Sequence, residues 1–122
     1  MRYCSTFLFF LTMGFSMSSN AQGLYDGIWQ LDSTSFATIQ QNGTQIISIA
    51  LDLNTRTFEV SSGNLSGNTV DLTTIVGAGV ATNRVTFTSA TTLESTLIAC
   101  TPAAGFTCDV PLGTVFTASR AF

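Results

Sequence analysis

The chain has 122 residues, of which 9% are charged, and its formal net charge is −3. It contains no histidine and no lysine, so it lacks the usual general base, the commonest metal ligand and the basic clusters that neutralise phosphates. The composition therefore argues against an enzyme, against a metal or cofactor site, and against nucleic acid or an anionic lipid surface as a partner.

The N-terminal segment has the pattern of a secretory signal peptide. Arg2 supplies a positive charge, an apolar run covers residues 7–15, and small residues precede a cleavage point after Ala21. The apolar run is shorter than the roughly 18 to 20 residues that cross a membrane, which argues against a retained anchor. We predict a signal peptide over residues 1–21, and one secreted or periplasmic domain over residues 22–122 that is not inserted in a membrane.

Two cysteines remain after this cleavage, Cys100 and Cys108, and the interval between them contains Pro102 and Gly105. An even pair in an oxidising compartment predicts a disulfide. Closing so short a loop stabilises a fold by roughly 2 to 3 kcal/mol in the chain-entropy model. A redox pair is the weaker interpretation, because redox cysteines usually stand two residues apart at the start of a helix.

Alternation of apolar and polar residues, interrupted by turn residues, predicts an all-β domain. Asn42 and Gly43 form the strongest hairpin signal, because both residues tolerate positive φ. A Gly- and Asn-rich stretch at residues 62–68 predicts a break between strands. The eight predicted strands cover residues 24–31, 36–41, 45–53, 56–61, 69–76, 82–88, 93–100 and 114–121.

Short connections favour pairing between neighbouring strands, so the strands predict an antiparallel up-and-down meander that closes into a barrel. A β-sandwich is the alternative. Gly27-Ile28-Trp29 at the first strand resembles the signature of the calycins, the barrels of the lipocalin and avidin type. The resemblance implies that Arg120 packs across the Trp29 indole as a structural pair, a contact worth roughly 0.5 to 2 kcal/mol. The chain is also similar to small secreted bacterial β proteins without an assigned activity.

The calycin resemblance implies that the barrel binds a small apolar molecule in its interior. We take Phe58, Phe87 and Phe116 as candidate ligand contacts. The alternative is a filled barrel, in which the same side chains form a dry core. The apolar side chains expected to face inward are those of Phe58, Phe87, Phe116, Ile47, Ile49, Leu51, Val85, Leu93 and Leu97.

Two other functional classes fit the sequence. A structural or matrix protein of the cell surface would associate with itself or with envelope components through an exposed apolar patch or an unprotected strand edge. An outer-membrane barrel is disfavoured, because most of the predicted strands are shorter than the 9 to 11 residues that cross a membrane.

The seven acidic residues are scattered singly, which argues against a paired-carboxylate hydrolase and a calcium loop. We expect a monomer or a weak oligomer.

Overall fold

A computed structural model describes residues 23–122, which form a closed antiparallel barrel of eight strands in chain order. The strands are β1 (Gly27–Gln30), β2 (Ser35–Asn42), β3 (Gln45–Asp52), β4 (Thr57–Ser66), β5 (Thr69–Val76), β6 (Val80–Phe87), β7 (Thr92–Thr101) and β8 (Val115–Arg120). The predicted meander barrel is confirmed and the sandwich is excluded. The signal peptide lies outside the described residues and stays a prediction. Within these residues no helix is long and apolar enough to cross a membrane.

Tight turns set the register of the hairpins. Asn42 pairs with Gln45, so the two-residue turn is Gly43 and Thr44, with Gly43 at a φ of 63°. The predicted hairpin is confirmed, and its turn lies one residue later than the Asn-Gly pair. The turn between β4 and β5 repeats this arrangement, with Gly67 at a φ of 62°. Glycine suits both positions because it adopts positive φ without a steric penalty.

Strand β4 corrects the predicted break at residues 62–68, because it continues to Ser66. Gly63 lies within the strand, where the backbone of β5 approaches so closely that an added Cβ would collide with the carbonyl oxygen of Asp71. Gly63 therefore reflects close backbone packing in the barrel wall, and only Gly67 and Asn68 of the predicted break form a turn.

The barrel has two different ends. We call the end that holds Tyr25 and the last residues of β8 the floor, and the end with loops 31–34, 53–56, 77–79 and 102–114 the mouth. The Tyr25 and Phe87 rings stack at the floor with centroids 3.7 Å apart, and the edge of Trp29 meets Phe87 at 5.6 Å. The indole Nε1 of Trp29 donates to the carbonyl oxygen of Tyr25 at 3.1 Å. The buried core is concentrated in the lower half, and comprises Tyr25, Trp29, Ile39, Ile46, Val70, Leu72, Val85, Phe87, Leu93 and Ala118.

Strands β3 and β4 turn the opposite face inward from the one predicted. Ile46 and Ser48 are buried and Ala50 shares their face, so the alternate residues of β3 and their partners on β4 point outward. The expectation that Ile47, Ile49, Leu51 and Phe58 face inward is therefore wrong. The apolar run of β3 fits either register, and a shift of one residue exchanges the two faces of a strand. The same expectation is confirmed for Val85, Phe87, Leu93 and Leu97, which are buried.

Candidate functional site

The upper half of the barrel is lined by small side chains that leave it partly empty. Ala37, Ser48 and Ala50 line it on one side, and Ser61 and Ser95 line it elsewhere around the wall. The resulting inner cavity has a volume of about 110 Å³ and its lower wall is formed by the floor residues. Since eight-stranded barrels are just wide enough to be filled by their own side chains, this space exists because these side chains are short.

The inner cavity opens toward the mouth into a wider space, the outer chamber, of about 300 Å³. Leu31, Ala50 and Glu59 line both spaces. Phe58 and Phe106 contribute aromatic walls to the outer chamber. Cavities of about 300 Å³ and more are typical of small-molecule sites, so the inner cavity and outer chamber together offer room for a small ligand.

Glu59 is positioned at the junction of the two spaces. It lies opposite Ala50 in the register of β3 and β4, and its Oε1 accepts a hydrogen bond of 3.0 Å from the hydroxyl of Thr74. The buried Thr74 hydroxyl accepts the N–H of Ala81 at 3.1 Å, and its single proton faces two acceptors, the Glu59 carboxylate and, at 3.2 Å, the carbonyl oxygen of Ala81. The carboxylate of Glu59 is thereby held in place from the neighbouring strand.

Two aspartates order loops at the mouth. Asp32 accepts the backbone N–H groups of Thr34 and Ser35, each at 2.8 Å, and the bond from Thr34 in particular holds the pKa of Asp32 below its usual range. Asp52 caps the next loop in the same way by accepting the N–H of Asn54 at 2.8 Å. Both carboxylates therefore order loops of the mouth.

The single salt bridge among residues 23–122 lies on the outside of the barrel. The Asp71 carboxylate accepts two hydrogen bonds from Arg84, at 2.9 and 3.0 Å, and this contact lowers the pKa of Asp71. Both side chains are about half exposed, so the pair contributes little to stability. No arginine is thus paired with Glu59 in the described part of the chain.

A disulfide joins Cys100 to Cys108, as predicted, and shortens the loop that connects β7 to β8. This bond is consistent with an oxidising compartment. Phe106 within the loop packs so tightly on Gly79 that an added Cβ there would collide with its ring. The contact joins the loop to the β5–β6 turn across the mouth, and a further cavity of about 280 Å³ lies beneath it.

The three candidate ligand contacts lie in separate places. Phe87 is buried in the floor, Phe58 lines the outer chamber from the rim, and Phe116 lines the cavity beneath the disulfide loop. The structure does not gather them into one site, and their contact with a ligand stays a prediction. Sequence reasoning missed the polar cavity lining, whose one visible signal is the serine at position 48 within an apolar strand.

Arg120 lies directly opposite Trp29 in the pairing of β1 with β8. Its guanidinium donates to the carbonyl oxygens of Leu24 and Phe122, each at 3.3 Å, and so ties the last strand to the segment before the first. Gly27 has a φ of 149°, and an added Cβ would collide with the carbonyl oxygen of Phe122. The Gly-x-Trp motif therefore serves the closure of the floor. Stacking of the guanidinium on the indole stays a prediction.

No protein-family model, curated protein or solved structure matches the chain. Residues 23–122 contain no group of acidic or cysteine side chains arranged to hold a metal ion. The functional argument therefore rests on the geometry of the barrel itself.

Proposed function

We propose that this protein is an exported, calycin-like barrel that binds a small molecule in the upper half of its interior. The observation that carries the proposal is the row of short side chains, among them Ala50 and Ser61, that keeps the upper barrel open above a densely packed floor. A barrel that served only as a scaffold would gain stability by filling this space with larger apolar side chains.

The N-terminal pattern and the Cys100–Cys108 disulfide support placement of the mature protein in the periplasm or outside the cell. In that setting a rigid barrel with an ordered mouth suits capture of a molecule from solution. The aromatic rings of the outer chamber offer the apolar contact that the calycin resemblance implies.

Native mass spectrometry on residues 22–122, purified from the periplasm of an expression host, tests the proposal. We expect a reproducible small-molecule adduct that denaturation releases. The variant Ser61→Leu fills the inner cavity and abolishes the adduct. The control Ser62→Leu places the same side chain on the outer face of the same strand and preserves the adduct. An adduct that survives Ser61→Leu would place the ligand outside the barrel.

A second function is favoured by an exposed apolar surface on strands β2 to β4, which we call the outer apolar face. Leu51 pairs with Phe36 on one side and Phe58 on the other, and Ile49 pairs with Val60 in the adjacent row. Phe58 is 57% exposed and Leu51 is 41% exposed. Apolar surfaces of this kind mark interaction sites, which fits a self-associating or envelope-binding structural protein.

Sedimentation velocity separates this alternative from ligand binding. A structural protein would associate as its concentration rises, and Phe58→Ser would abolish that association. A protein that stays monomeric at all concentrations, and carries an adduct, excludes self-association as its main function.

A further inference from the structure

Short polar side chains line the inner cavity. Ser48 is only 7% exposed, and its hydroxyl has no hydrogen-bond partner among residues 23–122. No enclosed side-chain nitrogen or oxygen in that part of the chain lacks a partner, so the Ser48 hydroxyl must be reachable from the cavity. Ser61, Asn83 and Ser95 line the same space with further donors and acceptors.

The carboxylate of Glu59 adds a charge to this polar lining. One oxygen is held by the Thr74 hydroxyl at 3.0 Å, and no arginine or other cation of residues 23–122 neutralises the group. Each of the three arginines in the described part of the chain has another position or partner. Arg84 pairs with Asp71 on the outside of the barrel, Arg120 binds the Leu24 carbonyl oxygen at the floor, and Arg56 is exposed in a loop of the mouth.

The charges around the mouth reinforce that of Glu59. Asp32 and Asp109 lie in two of the four mouth loops, Asp52 is the last residue of β3 before a third, and Arg56 is the one basic residue among those loops. A cleft lined by one sign of charge concentrates counter-ions and repels ions of the same sign. The mouth therefore attracts cations and disfavours fatty acids and other anions.

We infer that the ligand of the proposed barrel site is a small organic cation, an ammonium group with one or more hydroxyl or amine donors. The ammonium lies against Glu59 at the junction of the two spaces, and Phe106, together with Phe58 at the rim, lines the outer chamber above it. The polar end reaches the serine hydroxyls of the inner cavity. A volume of 110 Å³ corresponds to about four waters, so the inner end of the ligand is small.

This inference rests on the proposed function and specifies its ligand. Choline and its neutral analogue, the alcohol in which carbon replaces the quaternary nitrogen, have nearly the same shape and differ in charge. Trp29 is the sole tryptophan of the chain and lines the inner cavity, so its fluorescence reports occupancy. Titrations at low ionic strength with both probes compare the wild-type protein with Glu59→Gln. Glu94→Gln is the matched control, because Glu94 is the other glutamate and lies exposed on β7.

We expect the wild-type protein to bind choline at least about tenfold more tightly than the neutral analogue, since the attraction between two opposite unit charges about 4 Å apart near a protein surface is worth at least a factor of that order. Glu59→Gln abolishes the preference, and Glu94→Gln preserves it. Equal binding of both probes, unaffected by Glu59→Gln, overturns the cation inference and leaves the proposed function standing. Binding of neither probe overturns the cation inference, and loss of every adduct in native mass spectra removes the proposed function as well.

If Glu59→Gln does not fold, the inference is tested on the wild-type protein by NMR, from the changes in amide chemical shifts when choline is added. Choline should shift the indole resonance of Trp29 and the amide of Ala50, which line the inner cavity. Shifts confined to the outer apolar face would overturn the assignment.

Discussion

The aromatic stack of the floor should carry a large share of the barrel's stability, and Phe87→Leu tests this directly. Phe87 is 2% exposed, stacks on Tyr25 and meets the edge of Trp29. The substitution removes about three buried carbons at about 0.8 kcal/mol each. It also removes aromatic contacts of about 0.5 to 1.5 kcal/mol per pair. The free energy of unfolding should therefore fall by about 3.5 to 5.5 kcal/mol.

For a domain of this size, 1 kcal/mol shifts the Tm by about 4 to 8 °C, so Phe87→Leu should lower the Tm by more than about 12 °C. The assay is urea and thermal unfolding of residues 22–122 with the disulfide intact, followed by circular dichroism and by Trp29 fluorescence. Phe58→Leu makes the same change at a residue that is 57% exposed, and should cost less than about 1 kcal/mol. Equal losses in the two variants would refute the assignment of the core to the floor.

Three further predictions concern the closure of the floor and the loops of the mouth. Gly27→Ala should lower the free energy of unfolding by more than about 2 kcal/mol, because the new Cβ collides with the Phe122 carbonyl oxygen. Urea unfolding measures this loss. An unchanged free energy of unfolding would contradict the close approach of Phe122 to Gly27. Replacing both disulfide cysteines by serine should lower the free energy of unfolding by about 2 to 3 kcal/mol. If reduction of the wild-type protein leaves its Tm unchanged, the disulfide does not stabilise the barrel and this prediction is wrong. Asp32 should titrate below the usual aspartate range because the Thr34 N–H binds its charged form. The hydrogen-bonded Asp32 carboxylate therefore stabilises the fold above the unfolded-state pKa, and this stabilisation is lost as the pH falls through the folded-state pKa. The carboxyl chemical shift of Asp32, followed against pH, measures its pKa. A pKa in the usual aspartate range would contradict the prediction.

Features encoded locally were predictable from the sequence. The hairpin at Asn42 and Gly43 and the disulfide between Cys100 and Cys108 depend on residues a few positions apart, and both are confirmed. The barrel followed from strand count and short connections. Gly63 was misread because its role depends on the β5 backbone, which comes close only after the strands pair.

The cavity could not be predicted, because it depends on which face of each strand points inward. In β3 the apolar residues Ile47, Ile49 and Leu51 outnumber the small residues that face the interior, so hydrophobicity alone selects the wrong face. The inward position of Glu59 follows from its pairing with Ala50 across two strands. Sequence periodicity predicts which residues of a strand share a face. It does not predict which of the two faces points into the assembled barrel.

The bond between Arg120 and Leu24 joins residues 96 positions apart, and this separation constrains the order of folding. Neighbouring hairpins can form as soon as their own residues are available, whereas β1 finds its second partner only when β8 has emerged. Closing a loop of that length also makes this contact entropically the most demanding in the barrel. A chain that emerges with its N-terminus first would therefore form its hairpins one after another and close into a ring only after its last strand arrived. Until then the first strand would present an unpaired edge to its surroundings.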